Sequence, residues 1–108
     1  MPFTTLCHLD ELTENEGKYV EIDGYRLAVF RTPAGVFTLD DACPHAGGSM
    51  SAGWVQDGCA LCPRHAWAFD LTTGHLAGTG GFAIRTYPTR VHTTPDGRQL
   101  VQANLPMP

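Results

Sequence analysis

The sequence predicts an all-β fold, an antiparallel sandwich or small open barrel. Three observations point there. Turn signals recur along the whole chain, at Asp23-Gly24, Pro33-Ala34-Gly35, Asp57-Gly58, Thr73-Gly74 and Pro95-Asp96-Gly97. Between them lie short segments rich in β-branched, aromatic and aliphatic residues. Only the stretch 9–16 has the makings of a helical turn.

The elements follow in order. Cys7 lies in a first strand. A strand is expected over 18–22, where Tyr19 and Glu21 alternate with Val20 and Ile22, so that one face is apolar and the other mixed. The Asp-Gly turn leads into 25–31, which holds the run "LAVF". Further strands are expected over 36–39, 60–61, 66–71, 84–91 and 99–102. A chain of 108 residues suits one domain, residues 1–108, burying roughly two-thirds of the surface its unfolded form exposes. The 43% hydrophobic and 17% charged content is that of a globular protein.

A net charge of -4 argues against a nucleic-acid surface, which needs clustered Lys and Arg. Asp10, Glu11, Glu14 and Glu16 read as a solvated face. The N-terminal stretch is acidic and lacks the apolar region of a signal peptide, and no apolar run is long enough to span a bilayer. The expected location is therefore the cytoplasm, with no membrane contact. Disulfides are rare there, so spaced Cys and His read more naturally as metal ligands than as bridges.

Two segments do not look like strands. "CPHAGGSM", near 43–50, and "CPRHAW", near 62–67, each place a Cys and a His in a loop of small residues or behind a Cys-Pro step. Three readings compete: loop residues with no shared role, a zinc site with two Cys and two His, or an iron–sulfur cluster with mixed ligands. Zinc sites usually pair Cys with Cys and His with His at two to four residues' spacing. Here each loop carries one of each, and one spacer is a single residue. A 2Fe–2S core has two irons; one Cys and one His from each loop let both cysteines reach one iron and both histidines the other.

Cys43-Pro44-His45, sixteen intervening residues, then Cys62-Pro63-Arg64-His65 resembles the C-x-H…C-x-x-H signature of Rieske proteins. The resemblance extends through "CPHAGGSM" and "HAWAFDLTTG". It implies a Rieske-type β-sandwich or open barrel with a small cluster-binding subdomain made of two loops. It implies one Rieske 2Fe–2S cluster, with Cys43, His45, Cys62 and His65 as metal and cofactor ligands. It also implies that both imidazoles lie at a solvent-facing tip, rimmed by Pro44, Gly47, Gly48, Pro63 and Arg64. Two thiolates and two neutral imidazoles leave the site less negative than four thiolates would. Mixed ligation therefore raises the potential to about −150 to +300 mV, against about −400 mV for a plant-type cluster.

High-potential members of the family carry a disulfide between the loops and hydroxyl donors after the second His. The matching positions here are Gly48 and Arg64, and Trp67 and Phe69. No disulfide and no hydroxyl is available there, so the chain resembles the low-potential ferredoxin branch. Trp67 and Phe69 are expected to pack beneath the cluster. Cys7 and Cys59 read as buried small hydrophobes. His8, His75 and His92 read as surface or satisfied polar residues, Trp54 as core, and Asp40 and Asp41 as turn caps.

The function expected is that of an electron carrier with no catalytic residue of its own. No nucleotide-binding glycine motif and no flavin signature is present. A terminal oxygenase needs a second domain holding a mononuclear iron, for which 108 residues leave no room. Partners must then supply the chemistry. In one setting the protein is the ferredoxin component of a multi-component oxygenase, between a flavin reductase and a terminal oxygenase. In the alternative it is the small subunit of an assimilatory nitrite reductase, bound to the large subunit. A zinc-binding module without redox activity is a third reading.

Overall fold

In the computed structural model, residues 3–43, 48–63, 67–78 and 82–106 are described. Among these, ten strands form three antiparallel sheets. The first contains β1 (Phe3–His8), β10 (Gln99–Asn104) and β9 (Thr89–Thr93), in the order β1-β10-β9. The second has the order β2-β3-β4-β8, made of β2 (Gly17–Ile22), β3 (Tyr25–Thr32), β4 (Gly35–Asp40) and β8 (Thr86–Tyr87). The third is a small meander of β5 (Trp54–Gln56), β6 (Cys59–Leu61) and β7 (Ala68–Asp70). No helix among the described residues is long and apolar enough to cross a membrane.

The turn residues set the hairpins. Asp23 and Gly24 both have positive φ, 51° and 83°, as do Asp57 and Gly58 at 52° and 76°. Two such residues in succession make the tight turn whose twist matches that of antiparallel strands. The first pair joins β2 to β3 and the second joins β5 to β6.

The run "LAVF" is the middle of β3, and all four of its residues are fully buried. Successive side chains of a strand point to opposite faces, so a continuous apolar run needs cover on both. Ala28 and Phe30 pack into a cluster with Leu39, Ala60, Phe69, Leu71 and Ile84, on the side of the small meander. Val29 packs with Cys7, Leu12 and Val101, and Leu27 with Tyr87, Ala103 and Leu105, on the side of the first sheet. The second sheet is thus the middle layer of the molecule.

Most of the expected strands form. In β2, Tyr19 and Glu21 are exposed while Val20 and Ile22 are half-buried, following the alternation read from the sequence. The expected helical stretch shrinks to a 3-10 turn at Leu9–Glu11. The segment expected as one strand over 84–91 is instead β8 and β9, broken at Pro88. Proline has no N–H to give to a ladder, and here the chain leaves the second sheet and joins the first. The segment 66–71 contributes only Ala68–Asp70 as strand. Trp54, expected in the core, is 41% exposed on β5, because it shares the outward face of that strand with exposed Gln56 while Val55 between them turns inward.

After β7 the stretch "DLTTG" folds into a compact turn. Asp70 Oδ1 accepts hydrogen bonds from the Thr72 amide (2.8 Å), the Thr72 hydroxyl (2.5 Å) and the Thr73 amide (3.2 Å). The Thr72 contacts hold the Asp70 carboxyl below its ordinary pKa. Gly74 closes the turn at φ +79°, and a Cβ there would lie 2.1 Å from the Ile84 carbonyl oxygen. Gly97 also has positive φ (+88°) but open space around it. Gly74→Ala should therefore lower unfolding free energy by more than about 2 kcal/mol, and Gly97→Ala by about 1 kcal/mol. Urea denaturation of the two variants beside the parent checks the order.

Candidate metal centre

The two Cys-bearing loops leave the framework at neighbouring places. The first follows β4 and returns through a 3-10 turn at Met50–Ala52, and the second joins β6 to β7. Both are closed in the same way. The Cys43 amide donates to the Gly48 carbonyl (2.8 Å), and the Cys62 amide donates to the Trp67 carbonyl (2.9 Å). Each cysteine thus closes a ring onto the residue five positions on.

Close backbone contact sets the two loops side by side. A Cβ on Gly53, just past the first loop, would lie 1.9 Å from the Leu61 carbonyl oxygen, just before the second. Only the absence of a side chain permits that approach. The thiols of Cys43 and Cys62, 3% and 0% exposed, enter one apolar cluster together with Met50 and Phe69. None of the four cysteines is in a disulfide. His45 and His65 lie outside the described residues, as do Pro44, Gly47 and Arg64 of the expected rim. Of that rim, Pro63 is exposed but Gly48 is buried. The reason is its carbonyl, which turns inward to close the first loop.

Asp41 does more than cap a turn. Its side chain spans the neck of the first loop, and the residue is only 9% exposed. Oδ1 and Oδ2 accept from the Ser49 hydroxyl at 2.9 and 2.8 Å, and Oδ1 accepts from the Ser51 amide at 2.8 Å. The Ser49 and Ser51 hydroxyls lie 2.8 Å apart. Because the Ser49 proton goes to the carboxylate, Ser51 is the donor between them. The Asp41 carbonyl accepts from the Met50 amide at 2.7 Å, and Ala42 bridges to Ser49. The contacts span the loop and could not be read from local sequence. Asp40 faces another way and accepts from the Tyr87 hydroxyl at 2.6 Å.

Beneath the loops, Phe69 is fully buried and Trp67 half-buried against the same apolar cluster. Trp67 also packs on Phe82, with ring centroids 5.2 Å apart. Phe82 is itself 44% exposed, so the pair extends from the cluster to the surface.

The remaining candidates stand apart. Cys7 is buried between the first and second sheets, and that burial, with Glu11 nearby, pushes its thiol up to about 11. Cys59 is half-buried on β6 rather than buried; partial burial, then Asp70 and Asp57, push its thiol upward. Both environments favour the protonated thiol over a ligating thiolate. His75 and His92 are exposed and His8 is half-buried. Among the described residues no group of three or more His, Cys, Asp or Glu gathers as a metal site.

The all-β framework thus presents two Cys-bearing loops whose Cys43 and Cys62 are buried in one apolar cluster. A family model for the Rieske [2Fe-2S] domain matches residues 3–88. The ferredoxin subunit of anthranilate 1,2-dioxygenase from Burkholderia cepacia is 34% identical over 84 residues, covering 77% of this chain and 78% of that protein. The ferredoxin subunit of 3-phenylpropionate/cinnamic acid dioxygenase from Photorhabdus laumondii is 32% identical over 88 residues, covering 80% of this chain and 83% of that one. Among solved structures, a Mycobacterium tuberculosis protein assigned as the small subunit of an NADH-dependent nitrite reductase superposes with a TM-score of 0.82 at 30% identity, covering 98% of this chain and 97% of that one. The ferredoxin of Sphingomonas yanoikuyae B1 superposes at 0.76 and 26% identity, covering 93% and 97%.

The chain belongs to the Rieske [2Fe–2S] family. Its cofactor is one Rieske 2Fe–2S cluster, and its role is electron transfer. The described residues fit that group, since they supply two thiols in one buried cluster, a common apolar shield and two loops closed by hydrogen bonds.

The shield rests on Phe69. Phe69→Ala should cost about 3–5 kcal/mol of stability by opening a cavity. Chemical denaturation reads that loss, and iron content after gel filtration should fall with it, because the cavity lies under both thiols.

Proposed function

We propose that the protein is the ferredoxin component of a multi-component oxygenase system, a single domain over residues 1–108 that carries one electron at a time. In this reading Cys43 and Cys62 hold one iron of the cluster, and His45 and His65 hold the other. When bound, the cluster accepts and releases a single electron. The chain's own part is to hold it, to keep water from the thiol side, and to offer an uncovered face to a partner. The carrier performs no substrate chemistry itself. A flavin reductase supplies the electron and a terminal oxygenase receives it.

One observation carries the reading: two loops of identical closure bring buried thiols into a single apolar cluster. The oxygenase setting is supported by the Burkholderia and Photorhabdus ferredoxin subunits, whose lengths are largely covered. A second reading has its own support. The M. tuberculosis nitrite reductase subunit superposes at a TM-score of 0.82, above the 0.76 of the Sphingomonas ferredoxin, so a bound reductase subunit is the alternative. Sizing the protein from its native source separates them. Elution near the monomer mass supports the shuttle, whereas co-elution in fixed stoichiometry with a large haem-containing reductase rejects it.

The ligand assignment makes a sharp prediction. His45→Ala or His65→Ala should lose the intact cluster, seen as loss of the red-brown absorption and of iron and acid-labile sulfide. His75→Ala, at an exposed bridge residue, should keep all three.

The potential should lie low in the Rieske range, roughly −150 to 0 mV. Trp67 and Phe69 carry no hydroxyl, and the Ser49 and Ser51 hydroxyls are committed to the Asp41 network. Protein-film voltammetry measures it, and a value above about +150 mV would show that another donor serves the cluster.

A further inference from the structure

We infer that Asp41 is a positioning residue that holds the reduction potential of this protein down. The inference rests on the ligand assignment proposed above and goes beyond it. Three observations lead to it. First, Asp41 stands two residues before Cys43, at most about 7 Å away along the chain. Second, it is 9% exposed, so its negative charge is poorly screened by water. Third, both carboxylate oxygens face the hydroxyl and amide groups at the neck of the same loop.

Two physical effects act in one direction. Reduction adds a negative charge to the site, and a fixed carboxylate nearby disfavours that addition. Hydrogen-bond donors to cluster sulfur would favour it. Among the described residues of the first loop and its neck, the hydroxyls are those of Ser49 and Ser51, and the Asp41 carboxylate engages them. Ser49 gives its proton to Asp41, and Ser51 gives its proton to Ser49. The groups that could raise the potential are therefore turned toward a group that lowers it.

The main-chain part of the loop neck is independent of this side chain. The Asp41 carbonyl still accepts from the Met50 amide, the Cys43 amide still donates to Gly48, and the Asp41 amide still donates to the Arg26 carbonyl at 2.9 Å. Removing the charge alone therefore leaves the fold of the neck in place. Asp41→Asn has the same shape and keeps an acceptor for the Ser51 amide. Asp41→Glu restores the charge on a longer stem.

The test is equilibrium redox titration of the holoprotein at neutral pH, with the electron paramagnetic resonance spectrum of the reduced form and amide exchange of residues 48–51 as companions. Asp41→Asn should shift the midpoint potential upward while leaving the g-values and amide protection of the parent. Asp41→Glu should bring the potential back toward the parent. An unchanged or lower potential in Asp41→Asn overturns the inference. So does an upward shift accompanied by altered g-values or lost protection, since a deformed loop would then explain it. Absence of a reversible one-electron couple in the parent would instead strike the proposed function, and the two failures are distinguishable.

Discussion

The burial of β3 on both faces is the constraint on which the rest of the structure depends. Leu27, Ala28, Val29 and Phe30 are all fully buried, two toward each neighbouring layer. Burying four such side chains contributes several kcal/mol at about 1.5–3 kcal/mol for each large one. Both neighbouring layers are needed to obtain that contribution. The first sheet covers Leu27 and Val29, and the small meander with its loops covers Ala28 and Phe30. The metal-binding end is thus one wall of the core rather than an appendage to it.

That arrangement explains why the loops can be built largely of small residues. Their described residues contribute little apolar surface of their own beyond Met50, Trp67 and the two cysteines. The described ends are held by the two Cys amides closing their rings, the Asp41 carboxylate across one neck, and the approach of Gly53 to Leu61. A site on loops held by a rigid scaffold can expose one side to a partner while the other stays dry. An electron carrier needs both, since electron exchange requires access and the cluster needs shielding.

The low potential proposed for this carrier draws on the same architecture. Where a hydroxyl donor could stand after the second loop, the chain has an indole and a phenyl ring, and the serines of the first loop bond a carboxylate and each other. In that proposal, the groups that tertiary contacts leave available act on the potential alongside the ligand types.

The sequence by itself determined the fold class, most of the strand segments and the candidate ligands. Strand alternation, Asp-Gly turns and the Cys/His spacing act over a few residues, and local spacing preserves them. Tyr19 and Glu21 face solvent as their pattern requires, and Pro88 marks a break that its missing N–H could have announced. Tertiary structure alone decided which loops meet, and it overruled local expectation for Trp54, which lies on the outward face of its strand. It also gave Asp41 partners eight and ten residues away, where the sequence offers only an acidic residue before a turn. Burial and hydrogen bonding depend on what chain folding brings alongside. A residue's neighbours in sequence fix its own conformation, but they do not say what lies on its other side.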